Sequence, residues 1–345
     1  MHGFHSLSLA SAVTIAVLSF TPCNAAAAPH ASVARHRRAI NPPVPTGSAY
    51  KLTENYVGKK FYDGFDFFNR TDPTGGFVNY VSKDAAFAKN LTHADAGSFV
   101  FRADTTNVLP QGTKRDSVRI ESKRKYSTHL QVLDVAHMPE GKSTWPAYWM
   151  VGADWPNKGE LDIIEGANDL GPNLMSLHTG PNCSMPAATQ WLDSHKGTIK
   201  AVDCYAFANP SNTGCGVWGD SKRDFGPAFN AAGGGWFVTE RRPQYIKIWF
   251  WSHSDKNVPA SVKSGAANIN PSGWGKPTAS FQSSTCDLDT HFGPHQIVMN
   301  LDICGGWAGH TFGAEGIPAC EAYAASTPSA FAKAFWNIRS LRIYE

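Results

Sequence analysis

Gly159-Glu160-Leu161-Asp162-Ile163-Ile164-Glu165-Gly166 sets three carboxylates among one leucine and two isoleucines. A buried strand face seldom accepts repeated unpaired charge, so this interleaving demands a reason. On a helix turning about 100° per residue, Glu160 and Asp162 lie about 200° apart and Glu165 about 140° from Glu160, which leaves no shared face. On a strand, Glu160 and Asp162 share a face and Glu165 has the wrong parity. A β-bulge at Ile163-Ile164 supplies the one extra residue that corrects it, and all three carboxylates then point into one cleft. Glu160 and Glu165 are then about four strand steps apart, roughly 13 Å between Cα atoms at about 3.3 Å per step. Two long side chains leaning together close most of that gap. This permits the separation of about 5 to 5.5 Å used by retaining glycosidases, against about 6.5 to 9.5 Å for inverting ones. The competing reading is an edge strand that shows its acidic side to water.

Working outward, short alternating or apolar stretches bounded by Gly, Pro, Asn and Asp recur at 98–103, 117–122, 130–136, 147–151, 160–165, 174–179, 245–252, 296–302 and 338–344. Long periods of 3.6 are absent apart from a helical turn expected near Pro328 to Phe335, so the layout is all-β, a sandwich of two sheets. One domain suffices if 209–235 and 258–276 are long loops. The apolar run Leu7 to Phe20 and the small residues Ala25 to Ala28 read as a signal peptide over 1–28, followed by a propeptide and Pro-rich linker over 29–48 and a single domain over 49–345. Export to the extracellular space or cell wall is expected, with no membrane anchor. Three sequons, at Asn69, Asn90 and Asn182, are open to glycosylation in an exported eukaryotic chain.

The chain carries 31 Lys plus Arg against 28 Asp plus Glu, and three of the arginines fall in 1–38, which has no acids; the remainder balances at 28 each. Near-zero net charge gives no pull toward nucleic acid or anionic membrane. Eleven tryptophans suit a neutral, ring-shaped ligand such as a sugar polymer instead. Cys23 lies in the leader, and Cys183, Cys204, Cys215, Cys286, Cys304 and Cys320 allow up to three disulfides in 15 pairings, with the clusters 183/204/215 and 286/304/320 suggesting loop staples. No C-x-x-C pair exists, and Gly293-Pro294 breaks a helical reading of His291 and His295, leaving loop histidines. No metal ligands stand out and no cofactor is expected for catalysis; a structural Ca²⁺ on backbone carbonyls and a carboxylate would leave no trace at this level.

Thr144-Trp145-Pro146-Ala147-Tyr148-Trp149 followed by Asn157-Lys158-Gly159 and the acidic stretch resembles the signature of glycoside hydrolase family 16, in its laminarinase-like E-x-D-x-x-E form. Gly76 to Tyr80, Ser117 to Ile120, Ala136 to Pro139, Leu177 to Thr179 and Cys304 to Gly309 resemble, in order, segments of secreted fungal endo-β-1,3(4)-glucanases, over most of 50–345. The resemblance implies a β-jelly-roll of the concanavalin A-like kind with a glucan cleft, and retaining hydrolysis. By motif position it implies Glu160 as nucleophile, Glu165 as general acid/base and Asp162 as the residue that assists them. Physical chemistry requires the same division, because two adjacent carboxylates resist simultaneous ionisation.

Trp145, Trp149 and Trp307 are the favoured sugar platforms, with Asn79, Arg119, His178 and Asn300 as hydrogen-bonding groups. Trp249 and Trp251 share one strand face opposite Ile246, Ile248 and Phe250, which are expected to face the core, while Trp155, Trp236 and Trp274 are expected in loops that shape distal subsites. The expected partner is a β-glucan such as laminarin or lichenan, bound by a monomer. Two other readings use the same fold: a wall transglycosylase, and a glucan-binding protein without catalysis, against which both glutamates speak.

Overall fold

The computed structural model describes residues 49–186, 191, 194–208 and 212–345; the expected leader and linker fall outside them. Two large antiparallel sheets face each other. The sheet that carries the acidic stretch has eight strands: β1 (Phe65–Phe67), β2 (Arg119–Tyr126), β3 (Thr144–Val151), β4 (Glu160–Glu165), β5 (Leu174–His178), β6 (Thr198–Ala201), β7 (Cys215–Trp218) and β8 (His295–Ile303). Their order is β6-β7-β5-β4-β3-β8-β2-β1. The acidic strand therefore lies in the middle of its sheet and not at an edge, which removes the reading of a solvent-facing acidic border. The second sheet has nine strands, its centre formed by Phe335–Tyr344, His129–His137, Gly235–Arg242 and Tyr245–Ser252. A short parallel pair, Val78–Tyr80 with Arg115–Ser117, stands beside them.

The core lies between the sheets, where Tyr148, Met150, Leu161, Ile163 and Ile164 meet Leu133, Phe237, Ile246, Ile248 and Leu341. Burying each large apolar side chain is worth roughly 1.5–3 kcal/mol, so both isoleucines of the acidic strand favour the inward side. Adjacent residues of a regular strand cannot both do so. The register resolves the conflict: Asp162 pairs with Trp149 and Ile164 with Tyr148, leaving Ile163 as the extra residue of a bulge. Glu165 then pairs with Ala147, on the same face as Trp145 and Trp149.

Several expectations are corrected. The stretch 209–235 contains β7 and a short helix, Gly226–Ala231, and 258–276 contains the helix Ala260–Ser264 and the strand Asn268–Ile269. An eleven-residue helix, Gly316–Ser326, precedes the single turn at Pro328–Phe331. Its alanines and glycine give too little contrast between faces to reveal it. His291 ends a short helix and His295 opens β8, so neither is a loop histidine. The disulfides are Cys183–Cys286, Cys204–Cys215 and Cys304–Cys320, the first of which crosses between the two expected clusters. Trp236 belongs to a strand; with Trp249, Trp251 and Trp274 it packs on the outer side of the second sheet. That side lies across the core from the carboxylates, so these four tryptophans do not border the acidic site. Among the described residues no helix is long and apolar enough to cross a membrane.

Candidate active site

Glu160, Asp162 and Glu165 share the outer face of β4. Glu160 pairs with His178 on β5, and Asp162 with Ser176. His178 Nε2 lies 3.2 Å from Asp162 Oδ2, and its Nδ1 is 3.1 Å from Asn212 Oδ1. Burial alone would discharge this imidazole, but its contact with Asp162 and the charges of both glutamates win and push it up to about 10. It is therefore a cation at neutral pH, its Nδ1 donating to Asn212 and its Nε2 in ion-pair contact with Asp162. Burial pushes the carboxyl of Glu160 up to about 7 and that of Glu165 up to about 8, and the Asp162 charge adds to both. His178 and an indole hydrogen bond at each glutamate oppose the rise. Trp145 Nε1 donates to Glu165 Oε1 at 3.0 Å. Trp155 serves Glu160 in the same way.

The two indoles mark the two ends of the triplet. Beyond Glu160, exposed Trp155 meets Phe207 edge-on at 5.6 Å, and Phe207 meets Tyr205 at 5.9 Å, forming an aromatic rim. Beside Glu165, Trp145 packs edge-on to Trp307 at 6.2 Å, and the Lys200 ammonium sits 5.5 Å from the Trp307 ring and 5.2 Å from that of Trp218. The Trp307 turn is tied to the acidic strand by Asn168, which donates to Ala308 O at 2.8 Å and to Thr311 Oγ1 at 2.9 Å.

Trp149 donates to Asn300 Oδ1 at 2.7 Å, while Asn300 Nδ2 donates to the Tyr80 hydroxyl at 3.3 Å. Arg119 lies 4.9 Å over Trp149 and 4.4 Å over Phe68, and its guanidinium donates twice to Glu121 Oε1. Six of the seven expected binding residues thus surround the triplet. Asn79 does not: its side chain is exposed and donates to Asp116 Oδ1 at 2.5 Å, because it points away from buried Tyr80 on the short parallel pair. Sequence reading placed Trp155 at a distal position and passed over Lys200 and Asn168. A lone Lys or Asn carries no signature that separates it from surface or turn chemistry.

Glu160, Asp162 and His178 offer one ligand atom each within 4.8 Å of one another. Metal binding needs a neutral imidazole, and here His178 is held as a cation by its acidic neighbours, so the trio is a charge cluster in this state. Cys183, Cys286 and His291 also approach, but the two sulfurs are joined as a disulfide.

Residues 65–344 match a family model described as an XgeA-like, catalytic GH16 domain. A probable glycosidase of Schizosaccharomyces pombe is 38% identical over 315 residues, covering 90% of this chain and 73% of the relative. A probable endo-1,3(4)-β-glucanase of Aspergillus clavatus is 38% identical over 310 residues, 86% of this chain and 46% of its own length. The chain thus spans about half the length of that relative. Among solved structures, laminarinase 16A of Phanerochaete chrysosporium, holding 6-O-glucosyl-laminaritriose in donor and acceptor sites, is similar with a TM-score of 0.82 at 45% identity, covering 86% of this chain and 100% of that one. An elongating GH family 16 β-1,3-glucosyltransferase gives 0.79 at 36% identity, covering 86% and 100%. On the family match and these identities, the chain belongs to glycoside hydrolase family 16.

Proposed function

We propose that the protein is a secreted, endo-acting retaining β-glucanase that cleaves β-1,3 and mixed β-1,3/1,4 glucans. The observation that carries this reading is the bulge-corrected triplet on a central strand, with an indole N–H donated to each glutamate. Glu165 is the stronger proton holder of the pair and donates to the leaving glycosidic oxygen, while Glu160 attacks the anomeric carbon. Esterification of Glu160 deletes its charge, one of the contributions that holds the Glu165 proton. Glu165, ionised by its donation to the leaving oxygen, therefore stays ionised and takes a proton from the water that releases the sugar. Asp162, buried and paired with His178, supplies the fixed charge that keeps a proton on the glutamates in the resting site. Trp145, Trp149 and Trp307 present ring faces or edges to glucose units, and Arg119 and Asn300 orient the Trp149 indole and offer polar contacts.

Export is supported by the apolar leader and three disulfides, which persist in oxidising surroundings. The likeness to a glucosyltransferase favours a second reading, in which a sugar hydroxyl replaces water as acceptor. Reducing-end release from laminarin, lichenan and a galactan, with product sizing, separates the two. Hydrolysis predicts falling chain length and new reducing ends, and transfer predicts longer products. Glu160→Gln is expected to abolish turnover with an unchanged melting profile; turnover near the wild-type rate in that variant would remove the assigned role.

A further inference from the structure

A bulge opens the ladder, and the groups it leaves behind need partners. Here the two groups next to Ile163 are closed by one side chain. Asn173 Oδ1 accepts from the Glu165 backbone N–H at 2.9 Å, and Asn173 Nδ2 donates to the Ile163 carbonyl at 2.8 Å. Asn173 is fully buried. Its own backbone is fixed on both sides: its N–H donates to Asp224 Oδ1 at 3.0 Å, and its carbonyl accepts from Gly219 N–H at 2.8 Å. Gly219 is required there, since a Cβ would stand 1.6 Å from Asp224 Oδ2. A buried turn outside β4 therefore holds an amide in the one orientation that satisfies a donor and an acceptor two residues apart.

We propose that Asn173 is a positioning residue for catalysis: its carboxamide staples the bulge and so fixes the direction in which Glu165 leaves the strand. This inference rests on the reading of Glu165 as the proton donor. An asparagine suits the task because it presents one acceptor and one donor from a single plane, whereas aspartate keeps the acceptor and loses the donor when ionised. Without the staple, the last carboxylate is free to swing, and a displacement of about 1 Å at a catalytic group costs on the order of 100-fold.

The test compares wild type, Asn173→Ala and Asn173→Asp on laminarin and on a 2,4-dinitrophenyl β-glucoside of laminaribiose, whose leaving group needs no proton. Glycosylation is read from the dinitrophenolate burst. The expected result is a loss of about 10- to 100-fold on laminarin for Asn173→Ala, with less than about 3-fold on the burst, in the range ascribed to general acid catalysis. Asn173→Asp is expected to regain activity on laminarin as pH falls and its carboxyl becomes a donor again. Equal losses on both substrates, or no loss on either, would overturn the proposal. If Asn173→Ala fails to fold, Asn173→Asp carries the same comparison. If wild type cleaves neither substrate, the glucanase reading fails; a ¹³C-carboxyl titration of Glu165 then tests the staple alone, an unchanged titration in Asn173→Asp counting against it and a displaced one supporting it.

Discussion

Trp145→Phe isolates one hydrogen bond at the proposed proton donor. The substitution keeps an aromatic ring against Trp307 but removes the N–H that donates to Glu165 Oε1 at 3.0 Å. That bond favours the ionised carboxyl and lowers its pKa, so its loss moves the pKa further up from about 8. Hydrogen bonds to charged groups contribute about 1.5–3 kcal/mol, and water reaching the half-buried site restores about half of that. At about 1.4 kcal/mol per unit, the net loss corresponds to an upward shift of about one pH unit. The assay is kcat/KM on laminarin from pH 4 to 10, whose basic limb reports the proton donor of the free enzyme. The limb is expected to move up by about one unit, with kcat falling on the acidic side because more of Glu165 is then protonated when the second step needs it as a base. A basic limb that stays in place or moves down, in a variant whose melting temperature is unchanged, would refute the assignment of that limb to Glu165.

The same elevated pKa has a consequence for stability. With a folded value of about 8 against an unfolded value near 4.5, Glu165 binds more protons in the folded chain, so stability falls as pH rises through that window. Glu165→Gln removes this penalty and is expected to melt about 2 to 6 °C above wild type at pH 8.5, on the order of 1–3 kcal/mol, with no gain at pH 4.5; a gain that is the same at both values would contradict the linkage. The disulfides are expected to rank by the loops they close. Cys183–Cys286 spans 103 residues and Cys204–Cys215 spans 11, so replacing the first pair with serines should lower stability by roughly 2 kcal/mol more than replacing the second, as read from urea midpoints.

Parity arithmetic on eight residues located the bulge, because the two isoleucines and three carboxylates make opposite demands on a strand and only an extra residue meets both. The strands with clean alternation were legible for the same reason. Gly235–Arg242 was not: it is buried along its whole length yet ends in Glu240, Arg241 and Arg242, whose charges are met by Tyr50, Tyr245 and the carbonyls of Phe292 and Gly293. Partners that distant in sequence leave no local trace. Short strands such as Thr198–Ala201 exist through pairing with β7 and carry no pattern of their own. The tryptophans divide on similar grounds. Trp149 pairs with Asp162 and Trp145 lies two residues beyond the partner of Glu165, so both share the acidic face and could be read from parity, but the position of Trp249 and Trp251 depends on which sheet their strand joins, a property of topology and not of alternation.

Ile163 gives the triplet an uncommon tolerance to change in length. Deleting it would return β4 to plain alternation, and the final glutamate, now an even number of positions from its companions, would still emerge on the substrate side opposite Ala147, at the same four strand steps from Glu160. The strand can therefore lose a single codon there without either acid being turned into the hydrophobic interior, whereas the same deletion between Glu160 and Asp162 would send one of them inward.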